Sequence, residues 1–74
     1  MALRIPMTIS SELKELDFQI AVAEERVAEQ KERIARLEAE GHPTNSAREL
    51  LAIVESSLAL LVSRRGLLKR QIQP

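Results

Sequence analysis

The sequence contains no cysteine and only one aromatic residue, Phe18. Without cysteine the chain forms neither a disulfide nor a thiolate metal site. A single aromatic side chain argues against the stacking platforms that bind single-stranded nucleic acid. With 74 residues and no covalent staple, we expect one small domain, for which association with a further chain is the remaining source of stability.

The chain also lacks an excess of charge of either sign, because eleven basic residues balance eleven acidic ones. No overall field therefore directs it to DNA or to an anionic membrane. The longest mostly apolar stretch, 50–62, contains a glutamate and two serines and is far shorter than a membrane span. The first residues are too short and too interrupted for a signal peptide, so we expect a cytoplasmic protein that does not enter a membrane.

Two apolar stripes with alternating steps of three and four residues dominate the sequence. This spacing predicts two amphipathic helices, each with one buried face. The first stripe comprises Leu13, Leu16, Ile20, Ala23, Val27, Gln30, Ile34 and Leu37. The second comprises Ala47, Leu51, Val54, Leu58, Leu61, Arg65, Leu68 and Ile72. When the chain folds back at the loop, each residue of one stripe faces one residue of the other. We therefore predict an all-α fold, an antiparallel two-helix hairpin with these residues at its seam.

The hairpin is expected over 9–73. Its predicted segments are an N-terminal tail at 1–8, helix 1 at about 9–40, a loop at 41–44 and helix 2 at about 45–72. Gly66 lies inside helix 2, where a glycine costs roughly 1 kcal/mol relative to alanine, and we expect the helix to tolerate it.

Residues with capping preferences set these boundaries. Thr8 or Ser10 is the expected N-cap of helix 1, because a short hydroxyl accepts a hydrogen bond from an unpaired amide. Gly41 is the expected C′ residue of helix 1, since glycine adopts the left-handed conformation without a Cβ penalty. Thr44 and Ser46 compete as the N-cap of helix 2, and Thr44 is slightly favoured.

Helix 2 has more apolar surface than a single neighbour covers. A second stripe lies beside its seam, and the combined apolar arc spans roughly 200°, against the ~100° that one neighbour needs. The simplest closed solution is a homodimer that forms a four-helix bundle; a higher oligomer and a helical protein partner are the alternatives. With two outward residues of helix 1, the predicted self-association surface is Leu50, Ile53, Ser57, Leu60, Leu67, Phe18 and Val22.

Two polar residues interrupt the seam. Gln30 needs a hydrogen-bond partner if it is buried. Either Ser57 or a second Gln30 supplies that partner and specifies the register, or the long amide reaches solvent. Arg65 is expected to cover the seam with its aliphatic stem and to place its guanidinium near Asp17 or Glu24.

No motif for catalysis, for a cofactor or for a metal is present. His42 is the single histidine, and we expect an ordinary loop residue rather than a phosphoacceptor, since no acid follows it. The basic cluster of Arg64, Arg65, Lys69 and Arg70 is a candidate nucleic-acid patch. We expect the acidic start of helix 1 to neutralise much of it, so nucleic acid is an unlikely partner.

Three segments of the sequence resemble a known set of proteins. Residues 24–39 read EERVAEQKERIARLEA, residues 41–44 read GHPT, and residues 47–65 read A-x-x-L-L-x-x-x-E-S-S-L-A-L-L-V-S-R-R. Over Glu24 to Leu68 the chain resembles short, uncharacterised helical-hairpin proteins common among alphaproteobacteria. The resemblance implies a small stand-alone cytoplasmic protein of unknown function and supplies no catalytic residue.

These observations favour a non-enzymatic protein–protein interaction or scaffolding module that self-associates through helix 2. The alternative is a small nucleic-acid-associated regulator that uses the basic end of helix 2. A third hypothesis is an adaptor for a larger helical protein such as a signalling kinase.

Overall fold

The computed structural model describes residues 4–72, with side chains from residue 9 onward. Two α-helices, α1 (Arg4–Ala39) and α2 (Asn45–Ile72), pack against each other, and the described residues include no strand. Ion pairs join Glu12 to Arg64 at one end and Glu38 to Arg48 at the other, so the helices run antiparallel. The prediction of an all-α hairpin is confirmed.

The first helix begins earlier than the sequence predicted. α1 starts at Arg4, so the predicted tail is wrong over 4–8, and neither Thr8 nor Ser10 is an N-cap; residues 1–3 lie outside the described range. Pro6 is the third residue of the helix. The first four amides of a helix have no partner within it, so the missing amide of a proline at this position sacrifices no hydrogen bond.

The end of α1 is a Schellman motif centred on Gly41. This glycine has a φ of +77°, and its amide donates to the Glu38 carbonyl at 3.1 Å. The next amide, that of His42, donates to the Leu37 carbonyl at 2.8 Å. These two bonds satisfy carbonyls that the helix end would otherwise leave unpaired. The prediction of Gly41 at C′ is confirmed.

The start of α2 is fixed from both sides of the loop by Arg48. The Thr44 carbonyl accepts the Arg48 amide at 2.9 Å, which makes Thr44, and not Ser46, the N-cap. The Thr44 hydroxyl accepts a hydrogen bond from the Arg48 Nε at 3.0 Å. The same guanidinium is ion-paired with Glu38 of α1. Arg48 therefore connects the cap of α2 to the last turns of α1, a role that the sequence did not predict.

The two glycines are expected to respond in opposite directions to replacement by alanine. Gly41→Ala forces a Cβ into a left-handed conformation, which costs about 1–2 kcal/mol. Gly66→Ala adds a Cβ that meets nothing within 4 Å, and it removes the helical penalty of glycine, a gain of about 1 kcal/mol. Urea midpoints at one fixed protein concentration measure both changes. Destabilisation by Gly66→Ala would instead reveal a second helix that approaches α2 at this position.

The predicted seam lies between the two helices. Every residue of the first stripe is buried or half-buried, and so is every residue of the second except Ile72. Ile72 is exposed because it is the last residue of α2. Buried apolar side chains are confined, among residues 9–72, to Leu16, Ala23 and Ile34 of α1. The hairpin thus has a narrow core with α2 only half-covered.

The proportions of the molecule explain this shallow core. Its principal extents are 59 × 19 × 15 Å, which is the thickness of a single pair of helices. The radius of gyration is 17.2 Å, whereas a compact domain of this length has a value of about 11 Å. Both sides of the helix pair are therefore open, and any apolar residue beside the seam remains in contact with water.

Candidate interaction surface

Beside its seam residues, α2 carries further apolar residues that are exposed along the whole helix: Leu50, Ile53, Leu60 and Leu67. Ile53 is 62% exposed and Leu60 72% exposed, and Leu50 and Leu67 also remain in contact with water. On a helix, residues three, four and seven apart share a face, so these side chains form one apolar strip beside the seam, interrupted by Ser57 and Arg64. A hairpin alone leaves this strip uncovered, as the sequence indicated.

Residues of α1 complete the surface from the other side. Phe18 is 70% exposed, while Val22 is half-buried and therefore not a purely outward residue. Both line, together with Ile53, Ser57 and Arg26, a hollow of about 420 Å³ between the helices. The structure thus brings together four of the seven predicted interface residues in one place.

This hollow is the middle of a groove that follows one side of the hairpin; we name it the groove face. Towards the loop the groove continues between Leu50 of α2 and Arg33 of α1. The other end of the hairpin, where α1 begins and α2 ends, is the open end. Towards it the groove continues between Glu15 of α1 and Arg64 of α2. Leu60 and Leu67 extend the apolar strip along the α2 edge. The groove face has an apolar centre and charged ends, which is the usual anatomy of a protein–protein interface.

Three arginines of α1 lie on the groove face, although the sequence did not predict them as part of the interaction surface. Arg26, Arg33 and Arg36 border the groove where Leu50 and Val54 lie. Within residues 9–72 none of these arginines lies within ion-pair distance of an acidic side chain. The sequence places the three arginines beside the seam, but charged residues at such positions are ordinarily solvated. Only their alignment with the apolar strip of α2 distinguishes them.

Gln30 has a partner that the sequence did not predict. Its Nε2 donates to the backbone carbonyl of Ala47 at 2.9 Å, so Ser57 is not the partner of this nitrogen. A carbonyl oxygen has two lone pairs and accepts this bond in addition to a helical one. The bond joins the middle of α1 to the first turn of α2, and it leaves no buried side-chain nitrogen or oxygen without a partner in the described part of the chain.

The basic end of α2 is partly neutralised by α1. The Arg64 Nη2 lies 3.3 Å from a carboxylate oxygen of Glu12, and the Arg65 Nε lies 2.6 Å from that of Asp17. The predicted proximity of Arg65 to Asp17 is confirmed. Lys69 and Arg70 are exposed. Two of the four cations in the proposed nucleic-acid patch are therefore engaged within the hairpin.

Little in the described residues suggests a reactive or metal-binding centre. His42 is exposed in the loop, with its Nε2 3.6 Å from a carboxylate oxygen of Glu40. Across the part of the chain that the structure covers, no three side chains of the metal-ligating types gather around one point. Neither helix, over residues 4–72, has a stretch long and apolar enough to cross a membrane.

Comparison with known proteins adds no relative. The chain matches no family model, no curated protein and no solved structure. The function is therefore argued from the groove face alone.

Proposed function

We propose that this chain is a non-enzymatic interaction or scaffolding module that self-associates into a homodimeric four-helix bundle. The contact is made by the apolar strip of α2, with Phe18 and Val22 of α1 beside it. The observation that carries this proposal is the exposure of Ile53, Leu60 and Leu67 in the isolated hairpin. Fully burying such a side chain contributes about 1.5–3 kcal/mol, and a two-fold dimer buries each of them twice.

The total surface of the hairpin supports the same proposal. The chain exposes 5991 Å², whereas a compact monomer of 8.3 kDa exposes about 4,600 Å². The excess is larger than the ~800 Å² that each partner contributes to an interface of standard size. A second hairpin on the groove face removes this excess and gives α2 the second neighbour that its apolar arc requires.

A nucleic-acid-associated role for the basic end of α2 has weaker support. Arg64 and Arg65 are already paired with acidic side chains of α1, and the net charge of the chain is zero. Phosphate binding depends on cations that are free to replace counterions. The interaction module therefore remains the function that the geometry favours.

Light scattering on the purified chain tests the proposal. We expect a particle of twice 8.3 kDa at micromolar concentration, and a mass that falls only on strong dilution. A helical monomer at every concentration would overturn self-association and leave the groove to a helix of another protein. Salt-dependent binding of labelled DNA or RNA by the same sample would favour the nucleic-acid alternative instead.

A further inference from the structure

We infer that the groove face receives a second copy of this chain in antiparallel orientation, with a two-fold axis at the level of Glu24 and Leu60. This inference rests on the proposed self-association and adds its geometry. An isologous contact of this kind uses the same patch on both copies. The patch must therefore be complementary to itself when it is turned end over end.

The charges of the groove face have that property. The hollow at the open end is bordered by two glutamates and one arginine, a net charge of −1. The hollow towards the loop is bordered by three arginines and one glutamate, a net charge of +2. These residues are Glu12, Glu15 and Arg64 at the open end, and Arg26, Glu29, Arg33 and Arg36 towards the loop. When two copies lie antiparallel, the acidic end of each groove therefore faces the basic end of the other and attracts it.

The spacing along α1 locates the axis. Glu15 and Arg33 each lie nine residues from Glu24, and Glu12 and Arg36 each lie twelve residues from it. At ~1.5 Å per residue, these distances are about 14 Å and 18 Å along the helix. A two-fold axis at Glu24 therefore aligns Glu15 with Arg33 of the second copy, and Glu12 with Arg36 of the second copy.

The apolar strip of α2 locates the axis independently. Ile53 and Leu67 each lie seven residues from Leu60, so an axis at Leu60 aligns Ile53 with Leu67 of the second copy and Leu60 with itself. Ala23 of α1 and Leu61 of α2 lie opposite each other in the seam and line the same hollow, which places Leu60 at the level of Glu24. The charges of α1 and the apolar residues of α2 thus indicate one axis.

A parallel arrangement of two copies lacks this complementarity. It turns the second copy about the long axis of the hairpin, so α1 faces α2 of that copy. The arginines of α1 then lie opposite the residues that α2 contributes to the loop end of the groove, none of which is charged: Ser46, Ala47, Leu50 and Val54. Their charges would meet no carboxylate of the second copy's groove. The charge pattern therefore selects the antiparallel pair.

Charge exchange between Glu15 and Arg33 tests the orientation. Glu15→Arg alone and Arg33→Glu alone each place like charges opposite each other twice per dimer. We expect the dissociation constant of each homodimer to rise about tenfold at low salt. An equimolar mixture of the two variants, and a chain that carries both substitutions, are each expected to associate like the unsubstituted chain, because every contact is again between opposite charges.

Glu24→Arg is the matched control, since neither Glu24 nor the residues seven positions away on the same face, Asp17 and Lys31, line the groove, and the same charge change there should leave dimerisation unchanged. Sedimentation measures each dissociation constant, and circular dichroism verifies that each variant remains helical. Single variants that dimerise normally, or a double variant that stays as weak as the single ones, would overturn the antiparallel geometry while self-association stands. An unsubstituted chain that remains monomeric would overturn both proposals.

Discussion

A chain that carries both Ile53→Glu and Leu60→Glu is expected to be a monomer at concentrations where the unsubstituted chain is a dimer. Both side chains are largely exposed in the hairpin, so the substitutions cost the isolated hairpin little. In the dimer they would bury carboxylates that have no partner, and each such group carries a desolvation penalty of several kcal/mol. Light scattering measures the mass of the variant.

The control is Ala59→Glu, which introduces the same charge on the exposed side of α2 away from the groove. This variant should keep the mass of the unsubstituted chain. An unchanged mass for the double variant would show that the contact surface lies elsewhere. Loss of helical circular dichroism would show instead that Ile53 and Leu60 stabilise the hairpin itself.

The seam was predictable because one physical constraint determines it. Residues that are buried against a single neighbouring helix recur every three to four positions, and the structure covers all of them from Leu13 to Leu68. Gly41 was predictable for a similar reason, since a left-handed helix end favours the residue without a Cβ. In both cases the local sequence is sufficient.

Other features depended on contacts that periodicity does not encode. The predicted start of α1 was wrong because the hydroxyls of Thr8 and Ser10 favoured an N-cap there, whereas the helix begins at Arg4 and the proline in its first turn interrupts no bond. The partner of Gln30 was not predicted because its amide bonds a backbone carbonyl, which every residue type supplies. Arg48 was missed because its two contacts, with Thr44 and Glu38, form only when the loop has closed.

The candidate interaction surface was half predictable. The surplus of apolar residues on α2 indicates a further neighbour from composition and spacing alone. The identity of the other wall of the groove does not follow from α2, because it depends on which face of α1 lies beside it. Phe18 and Val22 were recognised as outward apolar residues, whereas Arg33 and Arg36 acquire their meaning from their position opposite the strip.

Leu16→Ala is expected to lower the free energy of unfolding by about 2–5 kcal/mol, which is the cost of truncating a buried leucine. Leu16 is 5% exposed, the lowest value among the described apolar side chains. A hairpin of this size has only a few kcal/mol of stability, so the variant should be largely unfolded at room temperature. Thermal unfolding followed by circular dichroism measures the change.

Leu60→Ala is the matched comparison, because it deletes the same atoms from a side chain that is 72% exposed in the hairpin. Leu60→Ala should lower the stability of the protein only by weakening association. The loss should therefore disappear when the protein is diluted below the dissociation constant of the dimer. The effect of Leu16→Ala should persist at every concentration, because Leu16 packs within one chain. If Leu60→Ala destabilises the protein equally at all dilutions, the hairpin does not fold without its second copy, and the two stripes then act as one core.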